Sequence, residues 1–359
     1  MDMMAMPPDL WSERLPQRFV ASGPRVSQRD GEDVWVAEDR VVGPSGRKPG
    51  HLLETVQHGY RPGRPETRLE DMDRDGVYAQ IIYGPVLGLP IRDPALHAVC
   101  LSAYNDWAAE FVRFSPDRLV VLAMLPSEEP SAAIAELERC AELGHRGVLL
   151  SSIASDFALF GPDWVRFWDA AQAAGLSLHF HLGEGHHGLR ALPGSWQLPA
   201  CVATSPIQLD ETLAALLLSG VLEQRPGLRA VLGESGLGWI PYMLERLDHE
   251  NEKYSTRKLD YRPGIKPSEI FRNQVSVTYQ EEATGFAMLD RIGIDNMMWA
   301  SDYPHGDSTW PESIATIEAS PLGQRDEGDL RKILYENAAQ LYGIRGPEQT
   351  QSDAPDAGS

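Results

Sequence analysis

The chain is short of positive charge. It carries 32 Lys+Arg against 52 Asp+Glu, a formal net charge of −20 with neutral histidines. A surface of that sign repels phosphate backbones and anionic lipid unless its basic residues cluster, and here they are scattered, so nucleic acid is set aside as a partner. Long apolar runs are missing as well. None approaches the roughly 20 residues of a bilayer-crossing helix, so no membrane span is expected. The opening Met1-Asp2-Met3-Met4-Ala5-Met6 lacks the basic stretch and long apolar stretch of a secretory signal, and the expected location is cytoplasmic. Cysteine is scarce: Cys100, Cys140 and Cys201 are odd in number, far apart and without a CxxC pair. That argues against a disulfide framework or a zinc ribbon and for reduced, buried thiols.

The remaining composition is that of a globular protein with enough apolar material, 42% of residues, for an enzyme-sized core. At about 150 residues per domain the length suggests two domains, but a single α/β barrel commonly exceeds about 250 residues. From residue 77 onward short apolar runs alternate with helical patterns. The runs are 77–83, 119–125, 147–150, 176–181, 228–232, 274–278 and 296–300, and several lack polar alternation, as strands buried on both faces do. Helical spacing recurs between them at 94–114, 131–143, 162–174, 208–219, 238–253 and 329–341. Ser127 stands before the second of these, Gly144 after it and Gly175 after the third, as start and stop signals.

Seven strands in a βα alternation fit either an open doubly wound sheet or a closed barrel. His181, Glu234 and Asp302 fall at or just past the C-terminal ends of three different strands, where barrel enzymes place their chemistry; an open sheet would gather them at one switch point. The expected fold is therefore α/β, a (β/α)8 TIM barrel spanning residues 1–345, with a disordered tail at 346–359. One strand is short. Residues 25–42 read as an antiparallel β-hairpin insertion (33–37, a turn, 40–42), which leaves only Met1–Met6 for a truncated or degenerate first strand. Residues 42–65 read as an excursion over the barrel mouth, and 183–206 as an irregular 24-residue loop of the kind that carries function.

Three segments can carry chemistry. In Ser177-Leu178-His179-Phe180-His181 the strand period puts both histidines on one face, where imidazole can ligate a divalent metal or sit hydrogen-bonded in a core. In Trp299-Ala300-Ser301-Asp302-Tyr303-Pro304-His305 a carboxylate at a strand end suits a metal ligand or proton shuttle, or an ordinary turn cap. In Gly233-Glu234-Ser235-Gly236-Leu237-Gly238-Trp239 the glycine order is GxxGxG and no GxSxG is present, which argues against a nicotinamide site and a serine-hydrolase elbow. Glu234 is expected to project into the mouth, with the glycines allowing a tight turn. His51, His58, His186 and His187 are loop histidines, and Trp196, Trp239 and Trp310 either wall an aromatic pocket or join the core.

Taken together, residues 181–183 (HLG), 234–248 (ESGLGWIPYMLERLD) and 300–311 (ASDYPHGDSTWP) resemble the amidohydrolase-related family, the branch of aminocarboxymuconate-semialdehyde decarboxylase and the resorcylate-type decarboxylases. Residues 68–83 and 104–126 share the likeness, which runs from Pro7 to Ile344. The resemblance implies one divalent metal, Zn or Mn, a small-molecule substrate and a homodimer. By it His181 matches the fifth-strand metal ligand and Asp302 the eighth-strand aspartate, while Glu234 stands where a sixth-strand histidine is common and is a third candidate ligand. Asp302 and Glu234 are the candidate catalytic groups; His179, His186, His305 and Trp239 are candidates for the substrate pocket.

The family's first-strand pair, an acidic residue and a histidine two positions on, precedes a Pro-Pro-Asp-Leu-Trp. Laid on Pro7–Trp11 that pair falls on Met1 and Met3. One expectation is that the natural protein starts roughly ten to twenty residues upstream of Met1; the rival is a divergent, metal-poor barrel that only binds a small ligand. The implied reaction is non-oxidative decarboxylation of a small aromatic or unsaturated carboxylic acid, with Asp302 carrying a proton to the carbon that loses CO₂ and a metal acting as Lewis acid. A metal-dependent hydrolase of a C–N, C–O or C–C bond would use the same residues.

Overall fold

A computed structural model describes residues 3–46, 59–85, 89–151, 157–182, 189, 194–258 and 261–346. Strands β1 (Arg25–Arg29), β2 (Glu32–Ala37) and β3 (Arg40–Pro44) form an antiparallel sheet ahead of the barrel. The expected hairpin is β2 and β3; β1 is an addition. Its sequence, RVSQR, has no apolar alternation, and it is a strand because its backbone pairs with β2 from Arg25↔Val36 to Arg29↔Glu32. Glu38, in the β2–β3 turn, ties this sheet to the rest by accepting from the Arg92 and Asp93 N–H groups at 2.9 and 2.8 Å.

The apolar runs become parallel strands β4 (Gln80–Ile82), β5 (Leu119–Val121), β6 (Ala123–Met124), β7 (Gly147–Leu149), β8 (Ser177–His181), β9 (Ala230–Gly233), β10 (Val275–Tyr279) and β11 (Met297–Trp299). β5 and β6 are one segment interrupted at Leu122, whose N–H still reaches the Ile82 carbonyl at 2.9 Å. β4 pairs with β5, and β6 through β11 pair in chain order, all in parallel. Sequential order without a reversal is the barrel arrangement, so the expected barrel is the fold found. Helices Pro94–Arg113, Pro130–Leu143, Val165–Ala174, Asp210–Leu218 and Ile240–Lys253 follow successive strands. Their apolar faces, with Leu137, Phe167, Trp168, Leu213 and Leu216 fully buried, cover the outer side of the sheet.

Several local expectations are corrected. The second helix is capped by Glu129, which accepts from the Ala132 N–H at 2.9 Å, and not by Ser127. The stretch 183–206 contains a helix, Gln197–Thr204, that buries none of its residues; its sequence has no clear helical stripe because it packs weakly. Cys201 is half-buried, unlike Cys100 and Cys140. The last helix is interrupted by a π turn, Lys332–Glu336, before Asn337–Tyr342, and Asn337 donates to the Ile294 and Met297 carbonyls at 2.8 and 2.7 Å. Of the expected tail, 346–359, all but Gly346 lies outside the described residues, as does half of the excursion at 42–65.

Among the described residues no strand lies between β11 and β4. Met3–Ala5 form a single 3₁₀ turn and Met6 is buried. Two sets of contacts occupy that sector. Inside the lumen, Tyr342 and Ile344 pack with Val120, Val231 and Met298, and the Tyr342 ring stacks on His179 at 5.7 Å between centroids. Above, helix Pro65–Asp75 grips the chain that follows β11. The Tyr303 hydroxyl donates to the Asp71 carboxylate at 2.6 Å and Trp310 Nε1 to the Asp71 carbonyl at 3.0 Å. Ser313 donates to Asp75 through both its N–H and its Oγ, at 2.9 and 2.6 Å. Buried Arg68 lies over the Tyr303 ring, 5.0 Å from its centroid, and donates to Gln80 at 2.8 Å. Charged and hydroxyl groups are satisfied in pairs there, which a buried polar network requires.

Because Tyr342 fills the lumen at 4% exposure, Tyr342→Ala is expected to lower the unfolding free energy by about 3–5 kcal/mol, the range for emptying a large aromatic site. Urea titration followed by tryptophan fluorescence measures it, and a loss under about 1 kcal/mol would show that the ring is not part of the core.

Candidate functional site

His181 is the last residue of β8, Glu234 the first after β9, and Asp302 follows β11 by three positions. The strand ends bring them into one chain of contacts. His181 Nε2 lies 2.9 Å from Glu234 Oε1, Glu234 and Asp302 are hydrogen-bonded through their carboxyls, and His305 Nδ1 lies 2.8 Å from Asp302 Oδ1. Side-chain exposure rises from 2% at His181 to 30% at Glu234, so the array is closed below and opens toward the mouth. His305, expected only as a pocket residue, belongs to this array.

Like charges and burial set the protonation. Asp302 is pushed up to about 7 by burial and then by the Glu234 carboxylate, against the opposing pull of His305. Burial opposes the Glu234 charge too, but the cationic His181 at hydrogen-bond distance, with His305 beyond, holds Glu234 well below the usual carboxylate range. For His181 burial is likewise outweighed, by Glu234 above all, and its pKa is raised. In the metal-free state the first three groups of the array thus read imidazolium, carboxylate, carboxylic acid.

Both acidic residues sit on strained turns. Glu234 has φ 54° and Asp302 φ 59°, the left-handed region that costs a non-glycine residue about 1–3 kcal/mol and that clusters at functional sites. Each turn is the device that points a carboxylate back across the strand end. Gly236 (φ 62°) continues the first turn where a side chain would be strained. Gly233, just before Glu234, is required for a different reason: a Cβ there would lie 2.8 Å from the Tyr83 ring.

The other candidates are placed elsewhere. His179 shares the face of His181, as the strand period requires, but it is fully buried and does not line the mouth. Its Nδ1 meets the Tyr83 hydroxyl at 2.8 Å and its Nε2 the Ser177 hydroxyl at 2.9 Å. Ser177 donates to the Arg146 carbonyl at 3.0 Å, so it accepts from His179 Nε2–H, and Nδ1 accepts from Tyr83. Burial, with the His181 charge, pushes His179 down to about 3 and keeps it neutral for that role. Trp239 donates to the Ser235 carbonyl at 2.6 Å and packs on the core. Trp310 binds Asp71, whereas Trp196 is 71% exposed. His51, His58, His186 and His187 lie outside the described residues. Sequence reasoning missed Tyr83, whose ring centroid is 5.0 Å from that of His181; its only signal was its place at the end of an apolar run.

The donor set fits a divalent cation. One ligand atom each from Glu234, Asp302 and His305 lies within 4.8 Å of the others, with His181 Nε2 beside Glu234. His181 Nδ1 is 2.7 Å from the Leu182 carbonyl, the backbone bond that fixes the tautomer leaving Nε2 for a metal. Two carboxylates and two imidazoles suit zinc or manganese. Met3, which the resemblance lays on the first-strand histidine, is in a 3₁₀ turn and packs against the core.

A carboxyl whose folded-state pKa is raised favours folding below its ordinary value near 3.8, and that contribution is lost as pH rises through about 7. Metal-free Asp302→Asn is therefore expected to be more stable than the parent at pH 8 and equal to it at pH 4. Thermal unfolding with a chelator present measures this; a variant less stable at pH 8 would contradict the assignment of charge.

The amidohydrolase family model matches residues 58–344. A gamma-resorcylate decarboxylase from Rhizobium sp. (strain MTP-10005) is 26% identical over 349 residues, covering 88% of this chain and 98% of the relative. Among solved structures, an amidohydrolase from Mycobacterium avium subsp. paratuberculosis superposes with a TM-score of 0.76 at 20% identity, over 94% of this chain and 97% of that one. A dihydroxybenzoic acid decarboxylase from Polaromonas sp. JS666, with bound manganese and 2-nitroresorcinol, does so with a TM-score of 0.62 at 24% identity, over 79% and 86%. With its barrel order, its strand-end acids and a family match over most of its length, the chain belongs to the amidohydrolase family.

Proposed function

We propose that this protein is a metal-dependent, non-oxidative decarboxylase of a small aromatic or unsaturated carboxylic acid. The observation that carries the reading is the Glu234–Asp302 carboxyl pair held between His181 and His305 at the mouth of the barrel. The names of the relatives support the carboxy-lyase class, and the manganese of the Polaromonas neighbour supports the metal.

His181, Glu234, Asp302 and His305 are the residues that would hold the metal. When bound, a divalent ion supplies a Lewis acid that orients the substrate carboxylate and a neighbouring oxygen. The chain's own groups handle the proton. Asp302 delivers one to the carbon that bears the carboxylate, and that carbon becomes sp³. The bond to the carboxylate then breaks, its electron pair restores the unsaturated system and CO₂ leaves, so one proton is consumed for each CO₂ released. His305, 2.8 Å from Asp302, is placed to return the proton. Glu234 stays ionised and holds His181 in position. Buried His179 stays neutral and takes no part in the proton path.

The purified protein is expected to carry about one manganese or zinc per chain by elemental analysis, and to release CO₂ from at least one member of a panel of hydroxybenzoates and muconate semialdehydes. Asp302→Asn is expected to lower that rate at least about 100-fold, the usual contribution of a positioned general acid. Cleavage of an amide or lactone with no CO₂ release from the panel would replace decarboxylation by hydrolysis. Metal content near zero, unrestored by added ion, would remove the metal-dependent mechanism.

A further inference from the structure

Glu234 reaches His181 and Asp302 only because the backbone turns left-handed immediately after β9. Strand β10 holds that turn from the side. β9 and β10 pair in register from Val275↔Ala230 to Val277↔Leu232, and there the backbone ladder ends. The next residue, Thr278, continues the pairing with its side chain. Its hydroxyl oxygen accepts from the Glu234 N–H at 2.7 Å, and the same hydroxyl lies 3.5 Å from the Leu232 carbonyl. Its own carbonyl accepts from the Gly236 N–H at 3.1 Å and from Ser235 Oγ at 3.3 Å. Four residues on, Glu282 accepts from the Leu237 N–H at 2.5 Å and the Gly285 N–H at 3.1 Å, fastening the far end of the turn.

We propose that Thr278 is a positioning residue for Glu234: its hydroxyl replaces the lost ladder bond and locks the left-handed turn that aims the Glu234 carboxylate at His181 and Asp302, with Glu282 as a second clamp. The residue type follows from the geometry. A β-branched side chain suits the strand, and the acceptor oxygen must sit on Cβ to meet an N–H that points sideways off the neighbouring strand end. Valine preserves the shape and removes the acceptor, leaving the Glu234 N–H without its partner, whereas serine keeps the acceptor. This rests on the reading of Glu234 as part of the metal-binding array.

The test compares Thr278→Val and Thr278→Ser with the parent protein, using manganese(II) binding by calorimetry, crystal structures and melting temperature. Thr278→Val is expected to bind manganese about 10- to 100-fold more weakly, the usual effect of removing a group that orients a ligand, with Thr278→Ser within about threefold of the parent. Its crystal structure is expected to show Glu234 out of the left-handed region and its 2.9 Å contact with His181 broken, while the melting temperature shows it folded. Thr278→Val with parental affinity and an unmoved Glu234 overturns the proposal. Should the parent bind no manganese or zinc, the metal reading fails by itself, and the position of Glu234 in the variant crystal still decides the role of Thr278. If Thr278→Val does not fold, Thr278→Ala takes its place beside Thr278→Ser: an alanine variant with parental affinity and an unmoved Glu234 would sink the idea.

Discussion

Two carboxyl groups from different strands meet within hydrogen-bonding distance in a sheltered site, and two like charges cannot both be ionised there without a counter-charge. Everything around the barrel mouth answers that constraint. His181 neutralises Glu234 from below, His305 faces Asp302 from the side, and Asp302 retains its proton toward neutral pH. Holding two acids in contact needs rigid supports. The left-handed turns at Glu234 and Asp302 are that rigidity expressed in the backbone.

The supports come from two different elements. Strand β10 grips the Glu234 turn, while helix Pro65–Asp75 grips the segment after β11 through Asp71 and Asp75. That helix faces the sector in which no strand is found among the described residues, and its hydrogen bonds steady the segment that carries Asp302. Below the site the lumen holds a one-directional chain, Tyr83 to His179 to Ser177 to the Arg146 carbonyl, with Tyr342 stacked on the imidazole. Every polar group in that chain has a partner, which is how polar side chains occupy a barrel core at tolerable cost. Neutral below and ionised above, two histidines on one strand serve opposite purposes.

Much of this was legible in the residues. His181, Glu234 and Asp302 each end an apolar run, and strand ends of a parallel barrel share one rim, so their convergence follows from periodicity. Depth was not legible. Period two puts His179 on the face of His181, but two residues along a strand are roughly 6–7 Å, enough to move a side chain from the mouth to the core. His305 shares a segment with Asp302, yet only the turn after β11 decides that its imidazole meets the carboxylate. Partners distant in sequence left no trace: Tyr83 and His179 are 96 positions apart, and Thr278 meets Glu234 across 44.

The sequence by itself therefore determined the βα alternation, the barrel, and the positions at which acids and imidazoles leave the strands. These are local matters, set by side-chain period and by where apolar runs stop. Tertiary structure alone decided which histidine meets the acids and which is core, that Tyr342 and helix Pro65–Asp75 occupy the sector without a strand among the described residues, and that a threonine on β10 aims Glu234. The reason is physical: hydrogen-bond partners and charge coupling depend on distances across the barrel, and residue order along the chain does not encode those distances until the chain has folded.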